Sequence, residues 1–426
     1  MHRLQLSRFL IRDDTPMELV FLSKSDSQIL LDYLEANEIF SIVKPYGLDF
    51  VIRNSDLDRL ENYYTIILPI LCSILNRHHN CGLDMRQWEI LIGHWLRRFL
   101  AVSINAEGKL KLALESFDVT EVVVERVPFG ALTPEDTRDF SRLLNNQNWN
   151  MAFKSRFLSS MVAVGSVRPI KVNVLGDFPE KLLTSETLAL STPRGISHLR
   201  VQAQNFLSAR SKSVLSSTYL PRFYEWGLSM ALKSVPQGLR FQERIKPAPI
   251  SYVVRTEMSD SFKKFSSDDL SLRSIVLVLP EFFPIVYLEN FNFASEKALN
   301  LKMPHSPKYI FTSNDFDSCE LFKFWVITKI HSGAKYIVGQ HGNVYGTSVY
   351  ESKTIEERTS NRFVTWGWES SDNNHIQGLI LRNPSGKKIA NNPAGGFLFA
   401  QLHFPNLSTT WDSEEEYHSC RLCFLQ

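Results

Sequence analysis

Two segments of the chain place polar side chains directly after predicted strands. The residues are Thr312, Ser313 and Asn314 after the first strand, and Gln340, His341 and Gly342 after the second. Ligands of an open parallel sheet bind outside the carboxyl ends of its strands. If the two strands are neighbours, hydroxyl, amide and imidazole groups therefore meet at one edge, which we predict to be a substrate-binding edge.

Glycines around these residues extend the predicted site. Gly339, Gly342 and Gly346 have no side chain that would keep a ligand away from the backbone. Free N–H groups at the start of the following helix could hold an anion. Tyr345 and Gly346 complete the substrate-binding residues that the sequence predicts.

His341 is the strongest candidate for a catalytic group. An imidazole that titrates near neutrality can take the proton from an attacking hydroxyl, a step needed in both sugar transfer and phosphodiester transfer. The alternative is a histidine that only forms a hydrogen bond within a loop. Glu289 is predicted as a second acid or base, with a solvated or capping carboxylate as the alternative. Glu356 and Glu357 precede Arg358 and are expected to lie on a charged helix face.

No metal site or bound cofactor is predicted. Cys420 and Cys423, with His418, have the spacing of half a zinc site, but no second pair stands at partner spacing. His78 and His79 have no predicted partner ligand either. The sequence contains neither a Gly-x-Gly-x-x-Gly pattern nor a Walker motif, so dinucleotide and P-loop binding have no support.

The composition is that of a globular protein with more than one core. The chain has 426 residues, of which 44% are hydrophobic and 22% charged, and at about 150 residues per domain it should form two or three domains. The 47 basic and 45 acidic residues leave a net charge of +2, too little to attract nucleic acid to the protein as a whole. The 29 Phe, 13 Tyr and 8 Trp suggest extended packing or sugar-stacking surfaces.

The cysteines and the amino terminus indicate a cytoplasmic protein. Five scattered cysteines fit a reducing compartment better than a disulfide framework. Arg8, Arg12, Asp13 and Asp14 interrupt the apolar positions of a would-be signal peptide. No window has the roughly 20 apolar residues that span a bilayer. Arg86, Arg97 and Arg98 could meet anionic lipid in a peripheral association with the inner membrane, with structural ion pairs as the alternative.

Alternating strands and helices predict an α/β fold with a Rossmann-like parallel sheet covered on both faces. The predicted strands are 19–22, 119–124, 214–220, 308–314, 335–340, 362–368 and 396–404. Residues 274–279 form a continuous apolar run that is expected to end at Pro280. The predicted helices are 25–37, 56–77, 84–100, 221–233 and 318–331, with another opening at residues 133–136. Residues 184–217 are predicted as an irregular excursion and 370–393 as a linker.

The helix at 84–100 belongs to a helical insertion at 55–104. Asp84 is a plausible N-cap. Trp88, Leu91, Ile92, Trp95 and Phe99 recur on one face of the predicted helix.

Seven segments in a fixed order carry a resemblance to a known family. They are 88–99 (beginning Trp-Glu-Ile-Leu), 140–150 (ending Trp-Asn), 219–221 (Tyr-Leu-Pro), 287–289 (Tyr-Leu-Glu), 310–314 (Ile-Phe-Thr-Ser-Asn), 339–342 (Gly-Gln-His-Gly) and 365–368 (Thr-Trp-Gly-Trp). Over residues 19–368 the chain resembles the transferases encoded in O-antigen and surface-polysaccharide gene clusters of bacteria.

The resemblance implies a glycosyltransferase with GT-B-like architecture. It implies a nucleotide-sugar donor as substrate, a saccharide or lipid-linked acceptor, and His341 as the catalytic base facing the cleft. It also implies an acceptor-side domain over residues 1–385 and an incomplete donor-binding domain over 386–426, because family members continue well past this length. His94 stands where the family pattern has proline, and is expected to affect local helix packing.

Two other functions remain open at this stage. The chain could be an inactive remnant whose acceptor domain binds a glycan or a protein. It could also be a phosphodiester-forming polymer transferase, in which a histidine base would serve equally well.

Overall fold

The computed structural model of the protein describes residues 2–7, 17–23, 26–27, 40–44, 46, 50–178, 209–235, 245–263, 267–342, 345–347 and 354–381. In these residues ten strands form two separate parallel sheets, accompanied by eleven α-helices. The predicted α/β class with Rossmann-like parallel sheets is confirmed.

The N-terminal sheet consists of β1 His2–Leu6, β2 Glu18–Phe21, β3 Phe40–Ile42, β4 Val119–Arg126 and β5 Lys171–Asp177. All its pairings are parallel and its order is β3-β2-β1-β4-β5. This is the strand order of a doubly wound sheet. The central strands are rich in buried Val and Leu, as is usual in a parallel sheet.

The C-terminal sheet consists of β6 Ser213–Ser216, β7 Tyr309–Thr312, β8 Lys335–Gly339, β9 Arg362–Thr365 and β10 His375–Gln377. Its strands are also all parallel and lie in sequential order from β6 to β10. Consecutive strands are therefore neighbours, so their carboxyl ends form one continuous edge.

The helices connect the strands and cover the sheets. They are α1 Phe50–His79, α2 Met85–Ser116, α3 Thr137–Leu144, α4 Gln147–Ala163, α5 Arg222–Ala231, α6 Tyr252–Lys263, α7 Leu270–Phe282, α8 Phe291–Leu299, α9 Asp315–Ser318, α10 Glu320–His331 and α11 Ile355–Thr359. None of these helices has both the length and the apolar character needed to cross a membrane.

Helix α2 begins where the sequence predicts and joins the two halves of the molecule. The Asp84 carboxylate accepts a hydrogen bond from the Gln87 N–H, and the Gln87 Oε1 accepts one from the Asp84 N–H, which completes a capping box. The predicted apolar face is fully buried. Gln87 Nε2 donates to the Ile327 carbonyl of α10, while the last turns of α2 lead directly into β4 of the N-terminal sheet.

Aromatic side chains form a large part of the core between the helices. Trp95 stacks on Phe99, Trp149 stacks on Phe153, and Phe282 meets both Trp149 and Phe153 edge to face. Edge-to-face and stacked pairs stabilise a core beyond the area that they bury. Much of the aromatic content is therefore used for packing, the first of the two roles suggested by the composition.

The apolar run 274–279 is part of a helix, and the prediction that the element ends at Pro280 is wrong. It lies within α7, where Asp269 caps the first turn by accepting hydrogen bonds from the N–H groups of Ser271 and Leu272. A short continuous apolar run does not distinguish a buried strand from a buried helix. Pro280 falls near the end of α7 and does not terminate it.

The helix predicted to open at residues 133–136 begins later. Its first residue is Thr137, and Asp136 is the N-cap. The carbonyls of Pro134 and Glu135 accept hydrogen bonds from the N–H groups of Ile285 and Val286. This pairing holds the residues before Asp136 in a non-helical conformation.

Two other sequence predictions require correction or lie outside the described residues. The predicted linker 370–393 contains β10, which pairs with β9 through bonds such as Gly378 N–H to the Thr365 carbonyl. The helix predicted at 25–37 and the strand predicted at 396–404 lie outside, except for residues 26–27. Both sheets fall within residues 1–385. The predicted domain boundary at 385–386 lies outside the described residues.

Candidate functional site

The carboxyl ends of β7 and β8 lie side by side, as the sequence predicts. The two strands are parallel, with Thr312 opposite Val338, and β8 is in turn paired with β9. The residues that follow, Ser313 after β7 and Gln340 after β8, therefore emerge at the same edge of the C-terminal sheet. The sheet thus brings the two predicted polar segments together.

A chain of hydrogen bonds starts at His341. Its Nδ1 lies 2.8 Å from the Tyr345 hydroxyl oxygen, and that hydroxyl donates a short hydrogen bond to Oε1 of Glu356. Since the hydroxyl proton is directed to the carboxylate, Nδ1 must be the donor to the tyrosine oxygen. This hydrogen-bond pattern assigns the proton to Nδ1 and the lone pair to Nε2, which is the form needed in a general base.

A second group of polar residues reaches the same place from α2 and α9. Asp317 Oδ1 lies 2.7 Å from Arg98 Nη1 and 3.6 Å from His94 Nδ1. His94 Nε2 lies 3.7 Å from Glu356 Oε2, so the imidazole stands between two carboxylates at distances longer than a hydrogen bond. Phe316 contacts both imidazole rings, with centroid separations of 5.5 Å to each. We refer to His94, Arg98, Asp317, His341, Tyr345 and Glu356 as the strand-end cluster.

Burial and charge set the protonation states in this cluster. Burial lowers the pKa of His94 to about 3, although Asp317 acts in the opposite direction. Burial also opposes ionisation of Asp317, but the charge of Arg98 and the neighbouring His94 outweigh it, and the pKa of Asp317 is lowered. At neutral pH the cluster therefore holds a neutral His94 beside an ionised Asp317.

The shift at His94 predicts a loss of stability at acidic pH. The imidazole binds a proton below pH 6.5 in the unfolded chain, but only near pH 3 in the folded protein. Between these values the unfolded state binds more protons, so the free energy of unfolding falls as the pH is lowered. We expect His94 to account for about 1–3 kcal/mol of this loss by about pH 4.

Chemical denaturation of the wild type and of His94→Leu at several pH values measures this effect. Subtracting the two curves removes the contribution of His79, whose pKa burial lowers to about 4. Parallel curves for the two proteins would contradict the assignment to His94.

Three of the predicted site residues are buried and support the edge from within. The Thr312 hydroxyl accepts hydrogen bonds from the N–H groups of Asn314 and Asp315. Gln340 Oε1 accepts from the Trp366 N–H and from the Trp368 indole, and its Nε2 donates to the Gly342 carbonyl. The Ser313 hydroxyl is buried and makes no hydrogen bond to another described residue. The hydrogen bonds of Thr312 and Gln340 fix the backbone that follows β7 and β8. Contact of these three residues with a ligand stays a prediction.

Four of the remaining predicted residues, Asn314, His341, Gly342 and Gly346, are at least partly exposed to solvent. Asn314 is exposed and His341 and Gly342 are half-buried. A Cβ atom at Gly342 would meet no atom within 4 Å, so there is open space against the backbone. Gly346 is exposed and has φ +72°, a conformation that glycine adopts without strain. Gly339, by contrast, makes room for the side chains of Phe311 and Ser313.

The model of the LIC12162 family transferase matches residues 33–425. The chain belongs to this family. No curated protein and no solved structure matches the chain. The matched region includes all six residues of the strand-end cluster of this LIC12162 family transferase.

Glu289 lies in a different environment in this LIC12162 family transferase. Its two carboxylate oxygens accept hydrogen bonds from Nε and Nη2 of Arg255, at 2.7 and 2.8 Å, and one of them also accepts from the Ser251 N–H. Both side chains of the ion pair are almost fully buried. The contacts described for Glu289 do not include the strand-end cluster, so they give no support to its predicted catalytic role.

Four residues of the strand-end cluster, His94, Arg98, Asp317 and Glu356, are not among the site residues predicted from the sequence. Glu356 is predicted on a charged helix face, but it is buried and accepts the Tyr345 hydrogen bond. His94, expected to affect only local packing, faces Asp317 and Glu356. The i, i+4 spacing of His94 and Arg98 indicates that both lie on one helix face, which was the available signal.

The basic residues considered for lipid contact form internal contacts in the LIC12162 family transferase. Arg86 donates to the Thr359 carbonyl and to Asn361, and Arg97 pairs with Glu61. Arg98 pairs with Asp317. Among the described residues no group of three His, Cys, Asp or Glu side chains could hold a metal ion. His418, Cys420 and Cys423 lie outside those residues.

Proposed function

We propose that this protein transfers a sugar from a nucleotide-sugar donor to a hydroxyl of a saccharide or lipid-linked acceptor in surface-polysaccharide (O-antigen) assembly. One observation carries the proposal. The linked side chains of His341, Tyr345 and Glu356 stand at the carboxyl edge of a parallel sheet, where ligands of such sheets bind. The membership in a transferase family supports the reaction class.

The proposed chemistry follows from the protonation of His341. Its Nε2 accepts the proton of the acceptor hydroxyl as the hydroxyl oxygen forms a bond to the anomeric carbon. The bond between that carbon and the donor phosphate oxygen breaks, and the nucleoside diphosphate leaves with the electron pair. Tyr345 and Glu356 hold the ring in its tautomer and stabilise the imidazolium that forms.

The space beside His341 and Gly342 is the proposed donor position. A ligand can approach the backbone at Gly342 because no side chain lies within 4 Å of its would-be Cβ. Asn314, exposed at the end of the neighbouring strand, can donate and accept hydrogen bonds to a sugar or a ribose hydroxyl. Thr312 and Gln340 hold this edge in place through their hydrogen bonds. The buried hydroxyl of Ser313, together with Tyr345 and Gly346, completes the proposed binding residues.

The two parallel sheets support a GT-B-like arrangement. In this proposal the N-terminal sheet, β1–β5, forms the acceptor side and the C-terminal sheet, β6–β10, forms the donor side. The boundary then falls between β5 and β6 rather than at residue 385. We further infer a cytoplasmic location from the scattered cysteines, of which Cys72, Cys81 and Cys319 are free thiols.

A panel of nucleotide-sugars tests the proposal. The purified chain is incubated with each donor and with lipid-linked and free saccharide acceptors, and the released nucleotide is identified by mass spectrometry. We expect acceptor-dependent release of a nucleoside diphosphate from one donor. Release of a nucleoside monophosphate from a nucleoside diphosphate sugar would instead indicate phosphodiester formation, because the bond between the two phosphates must then break. Failure of every nucleoside diphosphate to bind in calorimetry, together with no release, would refute the proposed function and favour a binding module.

A further inference from the structure

Helix α5 (Arg222–Ala231) exposes its apolar side chains. Phe223 is 84% exposed, Met230 67%, Tyr224 62% and Trp226 49%. The polar residue Ser229, at 2%, faces the protein instead. A surface helix of a globular protein ordinarily shows the opposite arrangement, with its apolar stripe toward the core. Contiguous exposed apolar patches of this kind mark interaction surfaces.

A row of exposed lysines begins at the carboxyl end of this helix. The Lys212 carbonyl accepts a hydrogen bond from the Lys308 N–H, and the Lys308 carbonyl accepts one from the Lys335 N–H, so the three residues lie side by side at the amino ends of β6, β7 and β8. Lys233 lies two residues after the last residue of α5. All four side chains are exposed.

Hydrogen bonds fix α5 to this row. The Ser213 N–H donates to the Ser234 hydroxyl, and the Val235 N–H donates to the Ser211 hydroxyl. The end of the helix is therefore attached to the start of β6, beside Lys212. We call the exposed apolar residues of α5, together with the four exposed lysines, the α5 surface.

The charge of the α5 surface is almost entirely of one sign. Residues 209–235 contain a single acid, Glu225, and residues 301–314 contain none. Glu225 is half-buried and accepts a hydrogen bond from the Thr218 hydroxyl. A complementary partner must therefore offer negative charge beside an apolar layer.

We propose that the α5 surface docks the protein on an anionic lipid bilayer. Phe, Tyr and Trp are the residues that settle at the boundary between head groups and acyl chains. Lysines near the membrane surface add attraction to anionic head groups. A bilayer supplies both layers over an area wide enough for a helix and three strand ends.

The inference is independent of the proposed reaction, because it concerns binding alone. If both hold, docking places the strand-end cluster, at the opposite ends of the same strands, at a fixed height above the lipid.

Co-sedimentation with vesicles tests the proposal. The full chain is mixed with vesicles of phosphatidylcholine alone, or of equal parts phosphatidylcholine and phosphatidylglycerol. We expect binding to the mixed vesicles that weakens with added salt. The triple variant Lys212→Gln, Lys308→Gln, Lys335→Gln should bind about 100-fold more weakly. The double variant Phe223→Ser, Trp226→Ser should lose at least about tenfold.

Control variants replace the same number of apolar or basic residues at exposed positions elsewhere. Val51→Ser with Val253→Ser replaces two residues that are 75% and 65% exposed. Lys44→Gln, Arg126→Gln, Lys263→Gln removes three exposed charges. Both controls should bind vesicles as the wild type does, and circular dichroism should show that all variants fold.

Three results would overturn the proposal. The first is equal binding to neutral and anionic vesicles, and the second is wild-type binding by the two α5-surface variants. The third is a wild-type dimer in analytical ultracentrifugation that Phe223→Ser, Trp226→Ser converts to a monomer, because the surface would then be covered by a second copy.

Discussion

Replacing His341 by alanine is expected to lower the turnover of the transfer reaction by about 10²–10⁴-fold, the usual contribution of a positioned general base. The substitution removes the proposed proton acceptor and breaks the hydrogen bond to Tyr345. Because His341 is half-buried at the edge of the sheet, the fold should tolerate the change. Steady-state rates with the donor identified in the panel, at several pH values, measure the loss.

Two further variants separate catalysis from packing. Tyr345→Phe removes the hydroxyl between His341 and Glu356 while keeping the ring, so we expect a smaller loss of turnover and a shifted pH profile. His331→Ala, at an exposed histidine that ends α10, is the matched control and should leave the rate unchanged. If His341→Ala turns over donor at the wild-type rate, another group is the base.

Removing the carboxylate of Glu289 is expected to destabilise the protein by about 3–5 kcal/mol, the usual cost of leaving one member of a buried ion pair uncompensated. Arg255 is 1% exposed and pairs with Glu289 through two nitrogens. Burial lowers the pKa of Arg255, and Glu289 acts against that shift. In Glu289→Ala the guanidinium would keep only its carbonyl acceptors, among them Pro280 and Phe283. Urea denaturation measures the change.

The same variant also tests the predicted catalytic role of Glu289. If the residue is only structural, turnover per folded molecule of Glu289→Ala should equal that of the wild type at a temperature where both are folded. The double variant Arg255→Met, Glu289→Met should be less destabilised than Glu289→Ala, because no buried charge is left unpaired. A rate loss in folded Glu289→Ala, without further destabilisation, would restore Glu289 as a catalytic candidate.

The sequence predicts those parts of the site that depend on local pattern. Apolar runs at 308–314 and 335–340 predict two parallel strands, and parallel strands that are neighbours must end on one edge. The juxtaposition of Ser313 and Gln340 therefore follows from topology alone. The capping pattern at Asp84 similarly predicts where α2 begins. The sequence alone therefore places Ser313 and Gln340 on the carboxyl edge of a sheet, and the apolar residues of α2 on one helix face, without knowledge of the tertiary packing.

The rest of the strand-end cluster depends on contacts between elements distant in sequence. His94 is 223 residues from Asp317, and nothing in the local pattern of either shows that α2 crosses the strand ends at that point. Glu356 resembles a solvated residue because it stands beside Glu357 and Arg358, yet Tyr345 and His94 cover it. The place of the apolar run 274–279 in α7 does not follow from the sequence either, because a short continuous apolar run has no period that distinguishes helix from strand.

The span of α2 limits the modularity of the protein. This one helix carries His94 and Arg98 toward the carboxyl edge of the C-terminal sheet, while its chain continues directly into β4 of the N-terminal sheet. A chain divided between β5 and β6 would leave these two side chains on one fragment, and Asp317, His341 and Glu356 on the other. Neither fragment alone would contain the strand-end cluster. If one half were exchanged for that of a homologue, the α2 residues at positions 94 and 98 would have to fit the new partners at positions 317 and 356. We therefore expect the two halves to evolve together.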